Sequence, residues 1–112
     1  MNITFDDKDL KKYANDDKLA IRKLGPKRAK LYKLRLDDLL AAETLEDTRF
    51  LPGTYHELTS NRKGQWSCYL DNPYRLIFTP QEKPIPVDSS GKYIWSEIKG
   101  IKIIEIENYH KQ

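Results

Sequence analysis

The sequence predicts an α+β domain, with helices gathered on one face of a twisted, mainly antiparallel sheet of four to five strands. Two observations carry this expectation. Apolar residues recur every three or four positions as far as Ala42, and beyond Gly53 they recur every second position. Helical spacing first and strand spacing second is the order of an α+β chain rather than of repeating βαβ units.

Each element follows from its residues. Met1 to Phe5 alternates loosely and reads as a short strand, after which Asp6-Asp7 supply caps for a helix carrying Leu10, Tyr13 and Ala14. Gly25-Pro26 punctuates the chain. A longer helix starts at Pro26, since proline is well tolerated in a first turn, and runs to Glu43 or Thr44 with Ala29, Leu31, Leu34, Leu36, Leu39, Leu40 and Ala42 at helical spacing. This makes two N-terminal helices, the second packing Leu34 and Leu39 on the sheet. A short turn at Leu45 to Thr48 leads to Leu51-Pro52-Gly53. Strands are then expected at Tyr55 to Leu58, Gln65 to Asp71 and Tyr74 to Thr79, the last two joined as a hairpin by Asn72-Pro73. Trp66, Cys68 and Leu70 share one face of that hairpin. Pro80 to Lys99, interrupted by prolines and Ser89-Ser90-Gly91, reads as a surface loop with one short turn at Trp95, and the β-branched run Ile101 to Ile106 closes the sheet. The sheet face away from the helices is expected to stay free.

A chain of 112 residues suits one domain, 1–112, able to bury about two thirds of its unfolded surface without a metal or a disulfide. Cys68 is the only cysteine, and no four-ligand cysteine and histidine set exists, so a reducing compartment and no metal or cofactor are expected. The N-terminus lacks the pattern of a secretory signal, and no run of about 18 apolar residues occurs. A cytoplasmic protein without membrane contact is the expectation. Twenty Lys and Arg against seventeen Asp and Glu leave a net charge of +3, too little for a free-standing DNA binder. The basic residues cluster, however: eight lie between Lys18 and Arg35, Lys30 and Lys33 among them, with no acidic residue between. Such a helix offers either a solvated face or a polyanion-facing one.

The only histidines are His56 and His110, and around them in sequence stand Arg62, Lys63, Arg75 and the ending Glu107-Asn108-Tyr109-His110-Lys111. Cutting RNA without a metal needs a base for the 2′-hydroxyl proton, cations for the charge growing on phosphate, and an acid for the departing 5′ oxygen. His, Tyr, Lys and Arg fill those roles. Each also has a plain structural reading: Arg75 pairing with Asp71 or a glutamate, Tyr109 closing the core.

The block Leu51-Pro52-Gly53-Thr54-Tyr55-His56-Glu57-Leu58, then Asn61-Arg62-Lys63-Gly64-Gln65-Trp66-Ser67 and Asn72-Pro73-Tyr74-Arg75-Leu76-Ile77-Phe78, resembles the centre of HigB toxins of the RelE/ParE superfamily. Ile103 to His110 resembles their closing strand, so the resemblance spans nearly the whole chain. It implies a RelE-like fold and a type II toxin that cleaves messenger RNA on the ribosome. By the same resemblance His56, Tyr109 and His110 transfer protons, Arg75 clamps the phosphate, and Arg62, Lys63, Lys30, Lys33 and Lys111 bind RNA. The implied partners are a HigA-like helix-turn-helix antitoxin, the ribosome and messenger RNA. Asn108 departs from the family's usual Asp; an amide orients but is no base, and Glu107 is the alternative carboxylate. Strict alternation would also put Tyr109 and His110 on opposite faces unless the strand ends at Asn108. Two other functions compete: a ParE-like topoisomerase poison, against which His56 and Tyr109-His110 count, and a catalytically weak or inactive binding module, supported only by Asn108.

Overall fold

Strand β1 (Asn2–Phe5) precedes three helices, α1 (Lys8–Asn15), α2 (Asp17–Leu24) and α3 (Pro26–Ala41), and the strands β2 (His56–Glu57), β3 (Trp66–Tyr69), β4 (Tyr74–Pro80) and β5 (Gly100–Asn108) follow. The computed structural model describes residues 1–109. The strands form one sheet in the order β1-β5-β4-β3-β2, antiparallel except where edge strand β1 pairs in parallel with β5. The α+β fold is therefore as expected, with the helices packed on one face.

Aspartates divide the helical half. Asp7 caps α1 by accepting from the amides of Asp9 and Leu10 at 2.8 and 3.0 Å. What reads as one first helix is two, because Asp16 turns to extended backbone (φ −144°, ψ 97°) and its side chain caps α2 by accepting from the Leu19 amide at 3.0 Å. Gly25, at φ 86°, and Pro26 then start α3. It stops earlier than its apolar spacing suggests. The Asp47 carboxylate accepts from the amides of Glu43 and Thr44 at 2.9 and 3.4 Å, drawing them out of the helix into the cap of a 3-10 turn at Leu45–Thr48.

The core face of α3 differs from the expected one. Ala29, Tyr32, Leu36 and Leu39 are buried together with Arg35, whereas Leu34 is 46% exposed. Two polar residues occupy the inner stripe because each is satisfied there. The Tyr32 hydroxyl donates to the Leu10 carbonyl at 2.7 Å, and burial, then the nearby Asp7, pushes its phenol well above the ordinary value. Arg35 Nε donates to the Tyr69 carbonyl at 2.8 Å. Its guanidinium lies against Gly53, where an added Cβ would come within 2.6 Å of Nε and where φ is 111°, so the Leu51-Pro52-Gly53 motif needs its glycine on both counts.

Two further expectations change. The segment between β4 and β5 is not a plain surface loop: Trp95, in a 3-10 turn (Trp95–Glu97), and Ile98 belong to the core, with Tyr93 and Ile85 packed on it. Trp95 Nε1 donates to Glu57 at 2.8 Å, and Arg49 stacks over its ring at 3.8 Å. Nor is the sheet face away from the helices free. The segment between β2 and β3 folds back over it, tied by Thr79 Oγ1 donating to the Gly64 carbonyl at 2.8 Å, and Ser67 and Ile77 on that face are fully buried. Cys68, inside the core, has its thiol pushed up to about 12 by burial, a poor nucleophile at neutral pH.

The Leu39→Ala variant, which opens a fully buried site, is expected to lose about 2–5 kcal/mol in urea unfolding. Leu34→Ala should stay within about 0.5 kcal/mol of the parent. Equal losses for both would mean that α3 is rotated about its axis.

Candidate active site

The register across β3, β4 and β5 sets the site. Tyr69 pairs with Arg75, and Arg75 with Glu107, so these three side chains form one row on the face away from the helices. The neighbouring row holds Ser67, Ile77 and Glu105, with His56 on β2 opposite Ser67. A bulge makes this possible. Ile77 pairs with Glu105 but Phe78 with Ile103, which leaves Ile104 as the extra residue and reverses the alternation of β5. Ile101 and Ile103 therefore face the core while Glu105 and Glu107 face outward.

The segment after β2 supplies the second wall. A 3-10 turn (Ser60–Arg62), beginning at Ser60 with φ 56°, brings Arg62 over β5. Its guanidinium donates to Gln65 at 2.8 Å, Glu105 at 2.6 Å and Glu107 at 3.0 Å. Arg75 donates through Nε to the other Glu107 oxygen at 2.8 Å, with a second nitrogen 2.7 Å from the same oxygen. One carboxylate thus bridges two guanidinium groups at the floor of a polar cleft of about 510 Å³, lined by Leu58, Thr59, Asn61, Arg62, Arg75, Glu107 and Tyr109. Burial pushes the Glu107 carboxyl up, but the hydrogen bonds and charges of Arg75 and Arg62 outweigh it and hold it below the ordinary carboxylate range. Arg62 is held above its ordinary value by its two glutamates, against the opposing effect of burial.

Aromatic rings continue the site sideways. Arg75 lies 5.3 Å over the Tyr109 ring, Tyr109 stacks on Tyr69 at 6.2 Å and 26°, and His56 meets Tyr69 edge-on at 5.7 Å. The Tyr109 hydroxyl donates to Asn72 at 3.4 Å. His56 Nδ1 is 2.7 Å from the Thr54 carbonyl, which can only accept, so this nitrogen carries the proton. Nε2 lies 3.3 Å from the Ser67 hydroxyl, from which it accepts when the ring is neutral. Thr54 itself sits at φ 51°, rare for a β-branched residue, and its carbonyl fixes the imidazole's tautomer.

The structure thus gathers Arg62, Arg75, Glu107 and Tyr109 in the cleft and leaves His56 on the edge strand beyond Tyr69. Lys63 is exposed at the end of the Arg62 turn. Asn108 pairs with Tyr74, a register position on the opposite face from Glu107. Lys30 and Lys33 are not brought to the cleft: they line an apolar groove with Tyr13 and Ile21 on the helical side, where Lys33 pairs with Asp17 at 3.5 Å. Other members of the basic cluster are structural, since Arg28 forks onto Asp71 at 3.0 and 3.1 Å and covers the Tyr74 ring at 3.4 Å. His110 and Lys111 lie outside the described residues. Sequence reasoning missed Tyr69, although its outward alternation against Trp66, Cys68 and Leu70 was readable. It also missed the double engagement of Glu107, for which the sequence carries no signal.

A family model for the RelE-like toxin of the type II toxin-antitoxin system HigB matches residues 3–88. The chain belongs to the HigB family of RelE-like toxins. The HigB match includes His56, Arg62, Lys63 and Arg75, while Tyr109 lies beyond it. No curated protein sequence matches the chain significantly. Among solved structures, the YoeB–YefM complex from Staphylococcus aureus is similar with a TM-score of 0.56 at 20% identity, covering 96% of this chain and 94% of that one. The YoeB dimer from the same organism gives 0.55 at 22% identity, with the same coverage. At that identity these structures show the RelE-like fold that this HigB-family toxin shares with YoeB. No described helix is long and apolar enough to cross a membrane.

The low value of the Glu107 carboxyl has a thermodynamic consequence. Its ion pairs add stability that is fully present above the unfolded-chain pKa of about 4.3 and is lost as pH falls through the lower folded value. Glu107→Gln is therefore expected to melt below the parent at neutral pH, with the gap narrowing below about pH 4. A gap independent of pH in thermal unfolding would show that the carboxylate's charge does not stabilise the fold.

Proposed function

We propose that this toxin is a ribosome-dependent messenger RNA endoribonuclease, working without a metal in a single domain, 1–112, and restrained by a HigA-like helix-turn-helix antitoxin in the cytoplasm. The observation that carries this reading is the shared cleft of Arg75 and Tyr109, in which a planar guanidinium and a phenol address the same space. Arg75 presents a fork of donors to the non-bridging oxygens of a phosphodiester and stabilises the charge that grows there. Arg62 and exposed Lys63 extend the positive rim along the RNA backbone.

Cleavage proceeds by attack of the ribose 2′ oxygen on phosphorus. A base removes the 2′-hydroxyl proton, the phosphorus to 5′-oxygen bond breaks, and an acid returns a proton to the leaving oxygen, giving a 2′,3′-cyclic phosphate and a 5′-hydroxyl. His56, whose Nδ1 is engaged by the Thr54 carbonyl, takes the proton on Nε2 when its ring is neutral, and Tyr109 and His110 are the remaining transfer groups. Asn108, on the other face, does not replace a catalytic carboxylate, and Glu107 is committed to the two arginines.

Induced expression is expected to arrest bacterial growth with messages cut and chromosomal DNA intact. Folded Arg75→Ala, Tyr109→Phe and His56→Ala variants should each cut more slowly by about a hundredfold or more, and Arg75→Lys should lose activity although charge is kept. Sequencing of message ends decides it: undiminished cutting by all four removes the site, and intact messages with broken DNA favour a topoisomerase poison.

A further inference from the structure

Glu107 occupies the position in which the proposed substrate must bind. Its two oxygens take the donors of two guanidinium groups, one from Arg62 at 3.0 Å and the other from Arg75 at 2.8 and 2.7 Å. Two non-bridging phosphate oxygens would make the same contacts. With Glu105 also present, two glutamates balance two arginines, so the cleft floor is electrically neutral. A neutral floor does not attract a polyanion.

The two arginines are held unequally. Arg62 keeps Glu105 and Gln65 if Glu107 leaves, whereas Glu107 is the only carboxylate paired with Arg75 among the described residues. Glu107 stands next to the last residue of β5, with its side chain a quarter exposed, so a turn about its own side-chain bonds delivers the carboxylate to water without moving the sheet.

We propose that Glu107 is a built-in competitor for the phosphodiester: its carboxylate holds Arg75 in the cleft until RNA displaces it. This rests on the cleft being the RNA site. Binding is then an exchange of one anion for another on Arg75. It costs the protein the Arg75–Glu107 ion pair. Weakly held anions are refused, and only a strand anchored by further contacts empties the cleft. Glu107 is in this sense a positioning and selectivity residue that does not touch the reacting atoms.

The test uses a short fluorescein-labelled 2′-O-methyl RNA, which cannot be cut, titrated with parent, Glu107→Gln, Glu107→Ala and Arg75→Ala proteins of matching circular dichroism. Both Glu107 variants are expected to bind about two- to fivefold tighter, the worth of releasing one ion pair. Affinity equal to or weaker than the parent's in both variants, undetectable binding included, overturns the proposal. Arg75→Ala separates the two ideas. If it weakens parent binding while the Glu107 variants do not tighten it, the competitor role alone fails; if it leaves binding unchanged, the cleft is not the RNA site and both fail.

Discussion

One extra residue in β5 decides what this fold can do. The strand reads Ile101-Lys102-Ile103-Ile104-Glu105-Ile106-Glu107, in which the odd positions change from isoleucine to glutamate halfway along. Under strict alternation Ile103 and Glu105 would face the same way, and either the core would receive two carboxylates or the cleft two isoleucines. The bulge at Ile104 lets both halves be satisfied: Ile101 and Ile103 seal the core beneath the helices, and Glu105 and Glu107 meet the arginines outside. The row of Tyr69, Arg75 and Glu107 follows from this register. So does the placement of Tyr109 beside Arg75.

The same chain uses arginine in two ways. Arg28 and Arg35 are spent on structure, one forked onto Asp71 and stacked on Tyr74, the other buried against Gly53 and donating to the Tyr69 backbone. Both come from the basic helix, which the sequence leaves open as a solvated face or a polyanion-facing one. The arginines of the cleft come from elsewhere, Arg62 from a tight turn and Arg75 from the sheet centre. Arg35 also couples the two groups, since its bond to the Tyr69 carbonyl ties α3 to the end of β3 beside the cleft row. Positive charge along the sequence was therefore a poor guide to positive charge in the site.

The α+β order, the hairpin of β3 and β4, the 3-10 turns at Leu45 and Trp95 and the closing strand were legible because apolar period and turn residues state them directly. The buried stripe of α3 was not: Tyr32 and Arg35 face inward because each finds a partner, while Leu34 faces water, and hydrophobicity alone inverts that choice. The division of α1 from α2 was written in Asp16, a residue that caps one helix as it ends another. Of the candidate site, Arg75, Arg62 and Tyr109 converge, whereas Lys30 and Lys33 lie across the molecule. The engagement of Glu107 depends on the bulge, and a bulge depends on tertiary pairing that no local pattern announces.

The proposed cleavage, driven by a 2′ oxygen with arginine on the phosphate and imidazole and phenol moving protons, would fix the chemistry of the ends it leaves. End-group mapping of messages from cells expressing the toxin measures this directly, by asking which fragments accept a 5′ phosphate from polynucleotide kinase and which carry a cyclic or 3′ phosphate. Fragments with 5′-hydroxyl and 2′,3′-cyclic or 3′-phosphate ends, absent when Arg75→Ala is expressed, are the expected result. Fragments with 5′-phosphate and 3′-hydroxyl ends would contradict it, since they require water or hydroxide as the nucleophile instead of the ribose.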